Sequence, residues 1–211
     1  QNWETQSSAF TEALKTQILT ITENTIGGLY IQGTTTTQGS NSIAIGATST
    51  IRSNDSIAIG FQAGYSNQAT NNNMPWSQFA DGAIAIGTNA GFSNQNRRSI
   101  AIGGNSGTTN QNEYGVAIGY NAGNNAQKWG SVAVGGYAGY HLQASSCVAV
   151  GFGAGNNAQS VGSICIGCYA GYAASGENSI IIGNNTMSDN STFLNNSIIL
   201  NAGGTNFTPT T

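Results

Sequence analysis

Apolar and polar positions alternate along this chain in short bursts. Segments such as Ser56-Ile57-Ala58-Ile59-Gly60 set branched aliphatic residues two apart, with a small residue between them and a glycine at the end. A separation of two puts the branched pair on one face of an extended segment and Ala58 on the other. The pattern predicts a short strand whose Ile57 and Ile59 point into a core. The closing glycine returns at Gly46, Gly60, Gly87, Gly103, Gly119, Gly135, Gly151, Gly167 and Gly183, and from Gly87 onward the interval is 16 residues every time. A fixed period carrying one short strand per repeat predicts a solenoid, in which each unit buries its apolar face only against its neighbours.

Two more positions keep the same period. A second glycine falls four residues after the first (Gly64, Gly91, Gly107, Gly123, Gly139, Gly155, Gly171), and a glutamine four after that (Gln68, Gln95, Gln111, Gln127, Gln143, Gln159), with Ser175 in the last rung. Glycine at these places supplies positive φ, or room for close approach, where the chain reverses. Each rung therefore reads strand, tight turn, weaker second strand, turn. The fold class is all-β: a parallel β-roll of 16-residue rungs, rising about 4.8 Å per rung, so that ten rungs span roughly 50 Å. So short a rung encloses little more than small side chains, which leaves apolar surface for a partner.

A 32-residue period underlies the shorter one. Asn124-Asn125-Ala126-Gln127 returns as Asn156-Asn157-Ala158-Gln159, and the rungs between carry Tyr140 and Tyr172 in place of Asn124 and Asn156. Rings on every rung would crowd at a spacing of about 4.8 Å, whereas alternation lets a ring lie over a smaller neighbour. The equally simple reading is a relic of duplicating two rungs together.

Residues 41–201 form the repeat domain, flanked by an N-terminal segment, 1–40, and a C-terminal tail, 202–211. The period is interrupted by an insert loop at 69–82, which carries Met74, Pro75, Trp76 and Phe79. Insertions in solenoids become surface loops, and Met74, Trp76 and Phe79 suit a contact site or a cover over the roll. In the N-terminal segment, Ser8 to Leu19 sets Phe10, Leu14 and Ile18 on one helical face, and Ile18 to Ile31 carries strand-like residues, as in an adaptor or trimer-entry segment.

Composition narrows the functions. Five Lys/Arg, eight Asp/Glu and a net charge of −3 give nucleic-acid binding no electrostatic support. Abundant glycine and low charge suit disorder, but the regular branched pairs argue for order. No apolar run is long enough for a membrane-spanning helix. Cys165-Ile166-Gly167-Cys168 is formally a CxxC, yet no second pair or nearby histidine accompanies it, so no metal and no cofactor is expected. His141 reads as an exposed turn residue. The scattered carboxylates form no close pair of the kind glycoside hydrolysis needs, and no catalytic residues are expected.

Asn41-Ser42-Ile43-Ala44-Ile45-Gly46 and Gly119-Tyr120-Asn121-Ala122-Gly123 resemble the head repeat of YadA-type trimeric autotransporter adhesins, a left-handed parallel β-roll that assembles as a trimer. The resemblance covers about residues 41–201. The same repeat occurs in fibres of phages and giant DNA viruses, and Asn196-Ser197-Ile198-Ile199-Leu200-Asn201-Ala202-Gly203-Gly204 is similar to the region before their C-terminal assembly domain. The bacterial repeat is usually somewhat shorter, and no neck, stalk or anchor is visible, which favours a virion fibre. The resemblance implies a homotrimer with Ile57, Ile59, Val132, Val134, Ile164 and Ile166 lining its interior. It implies an extracellular, non-enzymatic attachment module that contacts a host receptor or glycan, with Met74, Trp76, Phe79, Tyr140 and Tyr172 as candidate binding residues. A bacterial adhesin head, a structural spacer and a tailspike-like glycan depolymerase are the alternatives.

Overall fold

The computed structural model describes residues 29–31, 42–46, 48, 54–66, 68, 82–186 and 195–202. The expected helix within Ser8 to Leu19 lies outside the described residues, as do Met74, Trp76 and Phe79 of the insert loop. Every regular element that is described is a strand. They run β1 (Leu29–Ile31), β2 (Ile43–Ile45), β3 (Ile57–Ile59), β4 (Ile84–Ile86), β5 (Ile100–Ile102), β6 (Val116–Ile118), β7 (Asn125–Gln127), β8 (Val132–Val134), β9 (His141–Gln143), β10 (Val148–Val150), β11 (Ile164–Ile166), β12 (Ile180–Gly183) and β13 (Ile198–Asn201).

Eleven of them form one parallel sheet in chain order, omitting only β7 and β9, which pair with each other on the second face. Single bridges Ser66↔Ser93, Ser93↔Thr109, Thr109↔Asn125, Gln143↔Gln159 and Gln159↔Ser175 extend that second face along the roll. The expected β-solenoid is therefore present, with one strong and one weak strand per rung. Equivalent residues stack in register, Val132 beside Val148 and Val148 beside Ile164. The ladder also takes in Leu29–Ile31, which pairs with Ile43–Ile45.

The strand faces are the reverse of what side-chain size predicts. Ala58, Ala85, Ala101, Ala117, Ala133 and Ala149 have no accessible surface, whereas Ile57 and Ile59 lie half-buried on the outside of the roll. The physical reason is the width of the interior. A methyl group placed on Gly139 would come within 3.3 Å of the Ala133 methyl and 2.9 Å of the Gln143 side chain, so the two faces are already in contact through alanine and glycine. Isoleucine fits only outside. Among the residues whose burial is described, the alanine position of the strong strand takes a larger side chain only near the C-terminal end, at Cys165, Ile181 and Ile199, where Ser175 replaces the glutamine. The alanine core falls into two clusters, Ala44 to Ala101 and Ala117 to Ile199. Between them Ser106 takes an alanine position and donates its hydroxyl to the Gly103 carbonyl at 2.9 Å.

The glutamines are wholly internal. Gln127 donates from Nε2 to the Val116 carbonyl at 2.7 Å, the Ser131 carbonyl at 3.0 Å and Gln143 Oε1 of the next rung at 3.1 Å. Gln143 repeats the pattern to Val132 at 2.8 Å and to Gln159 at 3.0 Å. The carboxamide row thus ties the strong strand, the following turn and the next rung together. Buried polar groups are tolerated where they are bonded in this way.

The turn glycines are required for a second reason. Gly135 has φ 123°, and a Cβ there would lie 2.6 Å from the Gly151 carbonyl oxygen of the next rung. We expect Gly135→Val to destabilise the roll by more than about 1–3 kcal/mol per chain, because strain and a backbone clash act together. Ala133→Ile should prevent folding by overpacking. His141 is exposed, though it lies on strand β9 rather than in a turn, so His141→Ala should change stability by no more than about 0.5 kcal/mol. Thermal melts of the three variants check this order.

Candidate functional site

With its core so small, the roll displays its larger side chains on three surfaces. The first is the outer face of the strong sheet. Ile118, Ile166 and Ile182 are each 37% exposed, and Val132, Val134 and Ile164 are half-buried. Because equivalent residues stack in register, these side chains form a continuous branched aliphatic stripe along the roll.

The second surface is the turn that follows each strong strand. Tyr120, Tyr137, Phe152 and Tyr169 come from four successive rungs and contact one another edge to face, with ring centroids 5.6, 5.7 and 5.4 Å apart. Tyr140 packs on Tyr137 at 5.6 Å and on His141 at 4.3 Å, and Tyr172 packs on Tyr169 at 5.3 Å. The two tyrosines singled out in the sequence therefore flank a longer aromatic ladder.

The ladder follows the two-rung period. Aromatic residues stand one position after Gly119 and Gly151 but two positions after Gly135 and Gly167. This alternation lets rings lie over glycine: a Cβ on Gly136 would be 3.2 Å from the Phe152 ring, and one on Gly153 would be 2.7 Å from the Tyr169 ring. Crowding is not universal, however. Tyr65 and Phe92 occupy the Tyr140 position on adjacent rungs and stack face to face at 5.1 Å and 11°, which corrects the expectation that rings on successive rungs exclude one another. Of the ladder, Tyr120, Tyr137, Phe152 and Tyr169 were not singled out by sequence. The shift between first and second position was visible there, but its meaning depends on turn geometry.

The third surface is the opposite turn. Arg97 Nε donates to Glu113 Oε1 at 2.8 Å, the Arg98 guanidinium lies 5.5 Å from the Tyr114 ring centroid and donates to its hydroxyl, and Trp129 meets Tyr114 edge-on at 5.7 Å. Every described Asp, Glu, Lys and Arg (Asp55, Arg97, Arg98, Glu113, Lys128 and Glu177) belongs to this turn, in the few residues just before a strong strand. The aromatic turn carries none.

The cysteines differ in burial. Cys165 and Cys147 are buried and Cys168 is exposed, all as free thiols, so Cys165 and Cys168 are not placed to act as a pair. Among the described residues no group of three His, Cys, Asp or Glu side chains is placed to hold a metal ion, and no helix is long and apolar enough to cross a membrane. Comparison with protein-family models, curated proteins and solved structures gives no match. The functional reading therefore rests on these surfaces.

Burial pushes the Cys165 thiol from 9.0 up to about 12, and burial raises Cys147 as well. Thiolate is the reactive form, so at pH 8 a thiol reagent should label one cysteine per native chain, Cys168, and all three after unfolding. Because the folded values lie above the unfolded ones, the stabilisation is complete below about pH 9 and is lost as pH rises towards 12. Denaturant midpoints measured across that window should fall, and less so in Cys165→Ala.

Proposed function

We propose that this chain is a non-catalytic attachment module of a trimeric surface fibre, of the kind the repeat resembles in phage and giant-virus fibres, and that it contacts a host surface outside the cell. The observation that carries this reading is the aliphatic stripe. The roll's interior is filled by alanine, so its branched side chains face outward in a single chain, in register over many rungs. Apolar area buried from water is worth about 25 cal/mol per Å², and a stripe this long has far more to gain from a partner than isolated surface residues do. Copies of the same chain present the same stripe, and closing three of them around an axis places Ile57, Ile59, Val132, Val134, Ile164 and Ile166 at the common interface. The resulting rod is thin, uncharged over much of its surface and repetitive, which suits multivalent contact rather than catalysis.

One observation favours the bacterial adhesin head as the second reading. The first steps of the ladder, Leu29 to Ile43 and Ile43 to Ile57, span 14 residues, shorter than the later ones and closer to the bacterial repeat.

Two measurements test the proposal. Light scattering at micromolar concentration should give three times the chain mass, and Ile118→Asp with Ile166→Asp should reduce it to an unstable monomer. A stable folded monomer of the unmodified chain would overturn the assembly. Labelled trimer should bind host cells. In Trp76→Ala and Phe79→Ala, reduced binding with an unchanged melting point assigns recognition to the insert loop, whereas a depressed melting point with unchanged binding assigns those residues to a cover over the roll.

A further inference from the structure

We propose that the aromatic turn binds an uncharged, β-linked glycan laid along the roll. The inference rests on the attachment reading and names its ligand class and its place. Three observations converge on it.

Tyr120 and Phe152 are 54% and 47% exposed. They stand two rungs apart, a separation of about 10 Å along the roll, comparable with one disaccharide unit of an extended chain. Pyranose rings offer apolar C–H faces to aromatic side chains and hydroxyls at their edges. A row of exposed rings at a regular spacing therefore matches a polymer of such rings better than it matches an irregular protein surface.

Charge is segregated. The described Asp, Glu, Lys and Arg residues all lie at the opposite turn, the two positions after each strong-strand glycine from Gly60 onward are Gly, Asn, Thr, Gln, Phe, Tyr and Cys, and the one basic side chain beside the ladder is His141, against Tyr140. A neutral surface gives an acidic glycan, an anionic membrane or a nucleic acid no electrostatic attraction. It accepts a neutral ligand without stranding a charge.

The ladder is held at a conformational cost. Tyr137 and Tyr169 have φ 57° and 55°, in the left-handed region that bulky residues avoid, whereas Asn121 at φ 55° and Gly153 at φ 64° hold the same turn position without that penalty. Asparagine or glycine serves the fold there, but strain of this kind is not peculiar to the ladder, since Arg98, Tyr114 and Ser146 carry it at the opposite turn. The tyrosine hydroxyls are also unengaged: those of Tyr120, Tyr137, Tyr140, Tyr169 and Tyr172 make no hydrogen bond to the described residues, leaving a line of polar tips for sugar hydroxyls. Tyrosine, apolar in body and polar at its tip, suits such a ligand.

The test uses the full chain, titrated calorimetrically with hexasaccharides of β-linked glucose, N-acetylglucosamine and mannose. At least one should bind, with an affinity that is the same at low and high salt. Tyr120→Ala with Phe152→Ala should weaken it roughly tenfold or more without altering the sedimenting mass, and Tyr137→Asn should fold yet bind less tightly. Trp129→Ala, on the charged turn, should leave binding unchanged. Unaltered binding by the double variant would overturn the proposal, as would its dissociation into monomers, which would make this turn a subunit seam. If none of the three sugars binds while host cells still do, the glycan site is refuted and the attachment reading stands. If the unmodified trimer binds neither, both fall.

Discussion

A buried carboxamide in each of six successive rungs, Gln68 to Gln159, holds the two faces of the roll at a fixed separation, and most other features follow from that separation. Gln127 and its equivalents donate to a carbonyl of the strong strand, to a carbonyl at the next turn and to the glutamine of the neighbouring rung. Removing one such side chain would strand buried acceptors, each worth about 1–3 kcal/mol. The space left beside it admits a methyl group and little else, so alanine fills the core and glycine lines the turns. The row is interrupted between Gln95 and Gln111, where Gln111 Oε1 has no partner, at the same place where Ser106 divides the alanine core. Where Ser175 ends the row, Cys165 and Ile181 occupy the interior in its place.

A core of alanine cannot employ the larger side chains of the sequence, and these are sorted onto the outside by kind. Branched aliphatics line the strong sheet, most aromatics line one turn, and the described charges line the other together with Tyr114 and Trp129. Each surface is continuous because parallel in-register stacking repeats any residue choice along the axis. In the proposed trimer the aliphatic stripe is the surface that assembly would cover, and the aromatic turn is the one that would stay open. Polar side chains are stacked in the same manner: Asn94 donates to Asn110 at 3.0 Å and Asn96 to Asn112 at 3.1 Å, so even the outer amides bond along the ladder.

Much of this was legible in the sequence because a period is a global property that local ambiguity does not erase. The interval between turn glycines set the rung length, and the spacing of Ile57 and Ile59 identified the strand. The recurrence of Gln68 to Gln159 marked a second position under constraint. The aromatic ladder was only half legible. Tyr140 and Tyr172 stood out through the 32-residue repeat, but Tyr120 and Tyr137 sit at different offsets in their rungs. Only the turn's alternating backbone brings their rings together.

The sequence by itself determined that isoleucine and alanine lie on opposite faces of each strand, since alternation is built into an extended chain. It did not determine which face is inside. Size and hydrophobicity argued for Ile57 and Ile59, and the tertiary structure chose Ala58, because the distance between the two faces is set by the turns and the glutamine row rather than by the strand. That one decision turned a chain with an apparently ordinary core into a narrow roll with its apolar residues displayed.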